Sequence, residues 1–198
     1  MSSRLSCALL RFASPFAVLA LAAGCSQPRP PTGPSLQPGT RLVYQVESEG
    51  GPYPFLVDVE ATAPQAVFQY TFDPGGRGLS GRVVLTPNAQ ATATRLHTDF
   101  GGGDLTLEDA TTVWASDTVY DALRRRRAVE VDLGSGAETL EYVDTVPYAV
   151  QVQGQPAELR AFHGTTAAGH ALWVWDNAAN PLVLRLEERF TVALQEIW

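Results

Sequence analysis

The stretch Phe55-Leu-Val-Asp-Val-Glu60 places apolar residues at positions 55, 57 and 59 and carboxylates at positions 58 and 60. Alternation with a period of two is typical of a β-strand with one buried and one exposed face. Two further runs alternate in the same way: Leu42, Tyr44 and Val46 before it, and Phe68, Tyr70 and Phe72 after it. We expect these three runs to form consecutive strands of an antiparallel meander.

The same pattern continues towards the C-terminus, and turn residues such as Pro87-Asn88, Gly134-Ser-Gly136 and Gly154-Gln-Pro156 interrupt it. It predicts further strands over residues 81–86, 89–98, 128–133, 137–145, 148–153, 157–163, 170–176, 181–185 and 190–198. The sequence therefore predicts a mainly β domain, with an antiparallel curved sheet, half-barrel or barrel and one short α-helix.

The predicted helix runs from Ser116 to about Arg125. Ser116 is a favourable N-cap, Asp117 lies in the first turn, and apolar residues follow at helical spacing, namely Val119, Tyr120 and Leu123. The helix ends in Arg124, Arg125, Arg126 and Arg127. Arginines at a helix C-terminus interact favourably with the helix dipole and are usually solvated. The functional alternative is contact with lipid phosphates, lipopolysaccharide or an acidic partner.

The N-terminal residues have the character of a signal peptide. Arg4 and Arg11 are basic, no acidic residue occurs before Glu47, and residues 12–23 are mostly apolar. A helix of this length spans roughly 18 Å, well short of the ~30 Å hydrocarbon core of a bilayer. We therefore expect a signal peptide over residues 1–24 and no permanent transmembrane helix.

Ala22-Ala-Gly-Cys25 resembles the lipobox of bacterial lipoprotein precursors, although Ala22 stands where a branched residue is usual. The resemblance implies that Cys25 becomes the mature N-terminus and carries diacylglycerol together with an amide-linked acyl chain. Two or three chains anchor a protein stably, whereas a single chain anchors only marginally. Ser26 stands where inner-membrane lipoproteins of Gram-negative bacteria carry aspartate, so we expect a lipid-anchored protein of the cell envelope, at the outer membrane.

Residues 25–39 combine the lipidated cysteine with a proline-rich linker, and a single β-rich domain is expected over residues 40–198. The alternative for the prolines is a ligand for a recognition domain. Cys7 would leave with the signal peptide and Cys25 would be acylated, and the chain contains no other cysteine. No disulfide and no cysteine metal site is therefore expected.

The chain has no lysine and 21 acidic residues. Loss of Arg4 and Arg11 would leave 12 of the 14 basic residues, and hence a net charge of −9. A chain this acidic is a poor partner for nucleic acid. The expected partners are the membrane, through Cys25, and either an apolar ligand or a protein of the envelope.

Leu172-Trp-Val-Trp175 is apolar on both faces of a predicted strand. Such a strand is either central and covered by the helix, or contributes Trp173 and Trp175 to a ligand cavity. Trp173-Val-Trp-Asp176, followed by Asn180-Pro-Leu-Val-Leu-Arg185, is similar to the ends of uncharacterised exported bacterial β-proteins. The helix at Ser116–Leu123, leading into Val129-Glu-Val-Asp132, resembles their middle.

In architecture alone, the domain also resembles the half-barrel lipoprotein carriers LolA and LolB. That resemblance implies a curved antiparallel sheet that wraps a helix and encloses an acyl-binding cavity. Fold analogy is weak evidence for function.

No motif identifies an enzyme. The histidines His97, His163 and His170 do not form HExxH, and a metal site of His163, His170 and Asp176 is less expected than structural roles. Asp117-Thr-Val and Asp144-Thr-Val lack the glycine of the aspartic protease motif. The glycine-rich segments 73–78 and 101–103 lack the strand-to-helix context of a phosphate loop. We expect a non-catalytic protein without a cofactor, and the alternative is an envelope hydrolase with a carboxylate-based site.

Overall fold

The computed structural model describes residues 33–198, and these residues form one compact unit. The predicted signal peptide, Cys25 and the start of the linker lie outside the described residues. The described chain is mainly β, and its strands are β1 Arg41–Ser48, β2 Gly51–Ala61, β3 Ala66–Phe72, β4 Leu79–Leu85, β5 Arg95–Leu96, β6 Leu105–Leu107, β7 Ala110–Thr111, β8 Val129–Asp132, β9 Ala137–Val152, β10 Gln155–Thr166, β11 Ala171–Trp175, β12 Val183–Glu187 and β13 Thr191–Ile197. Two helices accompany them, α1 Pro87–Thr92 and α2 Asp117–Arg124. Neither has the length or apolar character needed to cross a bilayer.

All the strands belong to one large curved sheet with the order β6-β4-β3-β2-β1-β13-β12-β11-β10-β9-β8-β5-β7. β13 also pairs with β9, but over only two residue pairs. The strands from β9 to β13 therefore form a ring in which the number of paired residues differs greatly from one pair of neighbours to the next. The prediction of a mainly β fold with a curved sheet is confirmed. The sheet is mixed rather than wholly antiparallel, because β4–β6, β5–β7, β5–β8 and β9–β13 are parallel. Parallel pairing requires a long connection, and 19 residues separate Leu85 from Leu105.

The predicted meander is present as β1, β2 and β3, and β4 extends it by pairing with β3 in sequence order. Tyr44 lies opposite Phe55, and Phe55 lies opposite Phe72. Most of the alternating apolar residues of these strands are buried on one face, while Tyr53 and Leu79 near the strand ends are partly buried. Because the period of a strand is two, this single face of the meander forms one wall of the larger hydrophobic core.

Residues 87–92, predicted as a turn and the start of a strand, instead form α1. The Thr86 hydroxyl accepts a hydrogen bond from the Ala89 N–H at 3.2 Å, and Pro87 occupies the first helical turn. Proline there is favourable because its φ is already helical and its missing N–H would have no partner. The described residues thus form two short helices rather than one, and within the predicted strand 89–98 only Arg95–Leu96 is a strand.

The one helix predicted from the sequence is confirmed as α2. Ser116 accepts a hydrogen bond from the Val119 N–H at 3.2 Å. The helix buries Val119, Tyr120 and Leu123 against the sheet. It ends with Arg126 at φ 56°, while the Arg127 N–H bonds to the Ala122 carbonyl at 2.9 Å. This is the hydrogen-bond pattern of a Schellman motif, with arginine at the left-handed position that glycine usually occupies.

The two strands predicted over residues 137–145 and 148–153 are one long strand, β9, which continues through Pro147. Over the middle of β9 the only neighbouring strand among the described residues is β10, so the missing N–H of Pro147 can face the unpaired side. The turn that follows is made by Gln153 and Gly154, both with positive φ, one residue earlier than predicted. That pair of angles is typical of a two-residue type I′ hairpin.

The sheet separates two hydrophobic cores. The larger core contains residues of the meander together with Trp114, Leu159 and Trp175. The smaller core lies under α2 and contains Leu172 and Val174. β11 is therefore buried on both faces, as its sequence predicted, and α2 covers one of them. Leu36, in the segment expected as a linker, is 5% exposed and belongs to the larger core.

Candidate functional site

A half-open cavity of about 200 Å³ lies between the meander and the strands β12 and β13. Its wall is formed by residues of β1, β2, β3, β12 and β13 and by the segments around residues 96–100 and 112–113. Six of the lining residues are aromatic or phenolic: Tyr44, Tyr53, Phe55, Phe72, Phe100 and Phe190. A concave, mainly apolar cavity with a few polar groups is the usual form of a small-molecule site.

Phe100 lies at the centre of the aromatic wall. Its ring centroid is 4.9 Å from those of both Phe55 and Tyr70, and 6.5 Å from that of Phe72. Phe55 and Phe72 are themselves 5.6 Å apart. These tilted contacts are in the range of favourable aromatic pairs, so each ring restricts the orientation of the next.

The loop that carries Phe100 is tied to the meander by backbone contacts at Gly103. The Gly103 N–H donates to the Ser80 carbonyl at 2.8 Å, and the Tyr70 hydroxyl donates to the Gly103 carbonyl at 2.9 Å. Opposite them, Gly81 approaches so closely that a Cβ there would lie 1.8 Å from the Gly103 oxygen. The absence of a side chain at Gly81 is what lets the loop close over the meander.

Tyr44 forms part of the buried side of the cavity. It is 2% exposed, and its hydroxyl donates to the Val183 carbonyl at 2.9 Å. Burial, with a smaller contribution from Tyr148, raises the pKa of Tyr44 well above its usual value. The phenol is therefore neutral at physiological pH and already has a hydrogen-bond partner, so it contributes mainly an apolar ring.

The polar residues of the wall lie together, at His97, Thr98, Asp99 and Thr112. The His97 N–H donates to the Thr111 carbonyl at 2.6 Å, which holds the backbone beside β7. The imidazole stands edge-on to Phe100, with the ring centroids 5.4 Å apart. Its Nε2 atom is buried and has no hydrogen-bond partner. The cavity thus has one polar side and one aromatic side.

The tryptophans expected at a cavity do not line this one. Trp175 is 2% exposed and belongs to the larger core. Trp173 is stacked between two other side chains: its ring is 4.3 Å from that of His163 and parallel to it within 6°, and the Arg185 guanidinium lies 5.5 Å from its centroid. Both indoles are therefore in contact with protein groups, and the cavity is built from other residues.

His163, His170 and Asp176, the three residues considered above as a metal site, each contact a different side chain. His163 Nδ1 lies 3.1 Å from Asp144, and His170 Nδ1 lies 2.8 Å from Glu138. The Asp176 carboxylate accepts a hydrogen bond from the Tyr120 hydroxyl at 3.1 Å. Among residues 33–198, no group of three or more histidine, cysteine or acidic side chains could hold a metal ion.

Ser135, Glu138 and His170 are close to one another, but they are not arranged as a catalytic triad. Both the Ser135 hydroxyl, at 3.5 Å, and the Glu138 carboxylate, at 2.8 Å, approach the same ring atom, Nδ1 of His170. The Ser135 hydroxyl also donates to Glu138 at 3.1 Å. A triad requires the nucleophile and the acid on opposite nitrogens of the imidazole. The contacts instead connect the β8–β9 turn to the β10–β11 turn.

The four arginines are all exposed at the end of α2. Arg124 and Arg125 both pair with Asp121, at 2.9 and 3.0 Å. Arg126 lies over the ring of Tyr142, with 5.7 Å between the guanidinium carbon and the centroid. Within the described part of the chain, no carboxylate forms a salt bridge with Arg126 or Arg127. These two guanidiniums are therefore accessible to an anionic surface.

Sequence reasoning missed the cavity, although it placed three of its six aromatic residues, Tyr44, Phe55 and Phe72, correctly on buried strand faces. The cavity forms where the segment around residues 96–100 packs against the meander through Phe100, and strand alternation carries no signal for that contact. The predicted lipidation site, Cys25, lies outside the described residues. No protein-family model matches this chain, and neither a curated protein nor a solved structure was found that resembles it.

Proposed function

We propose that this chain is a lipid-anchored protein of a bacterial cell envelope, at the outer membrane, that binds a small apolar ligand in the aromatic cavity without altering it. The cavity is the observation that carries the ligand-binding part of the proposal. The lipobox-like sequence at Cys25 and the serine that follows it carry the membrane part.

The size of the cavity limits the ligand. An apolar protein cavity of about 150 Å³ is large enough to bind benzene, whereas pockets for drug-sized ligands occupy about 300–1,000 Å³. At about 200 Å³, the cavity suits one ring or a short aliphatic segment. It is too small for the several acyl chains that a LolA-like carrier of lipoproteins would have to enclose. The ligand we propose is therefore smaller than that resemblance implies.

The alternative function, an envelope hydrolase, is less well supported by the geometry. Most glycoside hydrolases use two carboxylates on either side of the scissile bond. Of the described residues that line the cavity, Asp99 alone carries a carboxylate. The carboxylate–histidine pairs Asp144–His163 and Glu138–His170 involve residues outside the cavity wall.

Ligand binding is tested with toluene and the unlipidated mature chain, residues 26–198, which contains every described contact. Heteronuclear NMR should show saturable shifts at residues of the cavity wall. Val192→Phe places a ring in the cavity and should abolish these shifts. Val143→Phe makes the same change at a side chain that is 48% exposed on β9 and outside the cavity wall. If wild type and both variants respond equally, or none responds, the cavity is not a ligand site.

Lipidation is tested on the full chain expressed in a Gram-negative bacterium. Intact mass spectrometry should find a mature protein that begins at Cys25 and carries diacylglycerol and an acyl chain. Cys25→Ser should abolish that mass and move the protein out of the membrane fraction. A wild-type protein recovered without lipid would refute the anchor and leave the cavity proposal standing.

A further inference from the structure

The wall of the aromatic cavity contains one acidic residue, Asp99, and no arginine among the described residues that line it. Asp99 is exposed to solvent, whereas the ring of the next residue, Phe100, packs into the aromatic wall. Within residues 33–198, no basic side chain forms a salt bridge with Asp99. A carboxylate without a cationic partner therefore lies at the solvent side of the cavity.

The residues that adjoin the cavity wall in sequence add to this negative charge. Glu47 follows Val46 of the wall and Asp73 follows Phe72, and both acidic residues are exposed. The arginines that adjoin wall residues each pair with a carboxylate of their own: Arg95, Arg185 and Arg189. Even with Arg77, which is exposed in the loop after Asp73, negative charge is in excess around the opening.

The aromatic rings of the wall favour the same sign of ligand charge. The face of an aromatic ring attracts a cation that lies within about 6 Å of its centroid. Three of the six rings are partly exposed, at Tyr53, Phe100 and Phe190, and the other three are buried. A cationic group at the solvent side of the cavity can therefore contact a ring while it remains hydrated.

We propose that the cavity is selective for a cationic ligand, in which a single ring is enclosed by the aromatic wall and an ammonium group lies beside Asp99 at the solvent side. This inference rests on the proposed ligand-binding function. The cavity of about 200 Å³ accommodates the ring. Because the cavity is half-open, the ammonium group keeps its contact with water, and the cost of burying a charge is avoided. An anion of the same size is repelled by the carboxylates.

Three single-ring probes separate the effect of charge from that of size. Benzylamine is cationic at neutral pH, benzyl alcohol is neutral and of similar size, and benzoate is anionic. An exposed ion pair changes affinity by about 1.5- to fivefold, and a cation–π contact at an exposed site changes it by about two- to fivefold. At low salt, the wild type should therefore bind benzylamine roughly three- to 25-fold more tightly than benzyl alcohol, and benzoate most weakly.

The test is a calorimetric titration of the three probes into the unlipidated mature chain and two variants. Asp99→Asn removes the charge at nearly constant size, and it should lower the ratio of benzylamine affinity to benzyl alcohol affinity by about 1.5- to fivefold. Glu130→Gln is the matched control, because it removes a charge from an exposed residue of β8 outside the cavity wall. It should leave the ratio at the wild-type value.

A second measurement needs no variant and decides the matter if Asp99→Asn does not fold. The affinity ratio of the wild type should fall when salt is raised from about 20 mM to about 500 mM, because salt screens exposed charges. A ratio that salt does not change would then overturn the inference.

The outcomes separate the two proposals. If none of the three probes binds the wild type, the proposed ligand-binding function fails and this inference fails with it. If benzyl alcohol or benzoate binds as tightly as benzylamine, or if Asp99→Asn and Glu130→Gln have the same affinity ratio, the selectivity for a cation is overturned and the apolar cavity stands.

Discussion

At Gly81, a single added methyl group should displace part of the cavity wall. In Gly81→Ala the new Cβ would lie 1.8 Å from the Gly103 oxygen, 2.5 Å from the Gly103 carbonyl carbon and 2.7 Å from the Tyr70 hydroxyl. Two of these atoms belong to the backbone, so no side-chain rotation relieves the overlap. The loop that carries Phe100 must move away from the meander.

The expected destabilisation follows from what this movement breaks. Forcing an extra methyl group into a filled site costs about 1–3 kcal/mol. Displacing Gly103 also removes its bond to the Ser80 carbonyl and the bond that Tyr70 donates to it, at about 1 kcal/mol each. We expect a loss of about 3–5 kcal/mol in the free energy of unfolding. For a domain of this size, that corresponds to a fall in Tm of about 6–20 °C.

The assay is urea unfolding of the mature chain, followed by the fluorescence of the buried tryptophans Trp114 and Trp175. Gly101→Ala is the matched control, because it lies in the same loop as Gly103 and its Cβ would meet no atom within 4 Å. The control should unfold within about 0.5 kcal/mol of wild type. Equal stability of Gly81→Ala and Gly101→Ala would refute the close approach on which the cavity wall depends.

Two further predictions concern ionisable residues. Burial raises the pKa of both Tyr120 and Tyr148 from 10.0 to about 12, so the folded state holds these protons more tightly than the unfolded state. The stability that this difference contributes is present below pH 10 and is lost as the pH rises from 10 towards 12. The urea concentration at the midpoint of wild-type unfolding should therefore decrease as the pH is raised from 9 to 11, and it should decrease less in Tyr148→Phe. A midpoint that does not change over this pH range would contradict the burial of both phenols. Separately, the double variant Arg126→Gln, Arg127→Gln should bind phosphatidylglycerol vesicles more weakly than wild type at low salt, by roughly 30-fold at about 1 kcal/mol per arginine. Equal flotation with these vesicles, or wild-type binding that is the same on neutral phosphatidylcholine, would exclude the arginines as a contact for an anionic membrane.

Local patterns in the sequence were sufficient for much of the secondary structure. The alternation of apolar residues predicted the meander, because residues two apart on a strand share a face. The unbroken apolar run Leu172-Trp-Val-Trp175 predicted the doubly buried β11. Ser116 predicted the start of α2 for an equally local reason, since the serine side chain bonds to the next turn. α1 was missed because the alanines of residues 87–93 fit alternation as well as a helix, and the cap by Thr86 decides between them.

The continuity of β9 was missed for a reason that is not local. Proline normally interrupts a strand, and Pro147 is tolerated here because, among residues 33–198, no strand pairs with one side of β9 at that point. The composition of residues 145–148 does not reveal whether a neighbouring strand is present. The parallel pairings of β5 and β6 likewise depend on where the intervening chain returns to the sheet.

The sequence by itself determined the buried faces of β1, β2 and β3, how α2 begins, and that Cys25 stands in a lipobox-like context. Only the tertiary structure decided that Trp175 fills the core, that Trp173 stacks on His163, and that an aromatic cavity lies elsewhere. The physical reason is that alternation identifies the apolar face of a strand without identifying what that face contacts. Whether an apolar face meets another side chain or an open cavity depends on segments such as residues 96–100, which are distant in sequence and are brought to it only by folding.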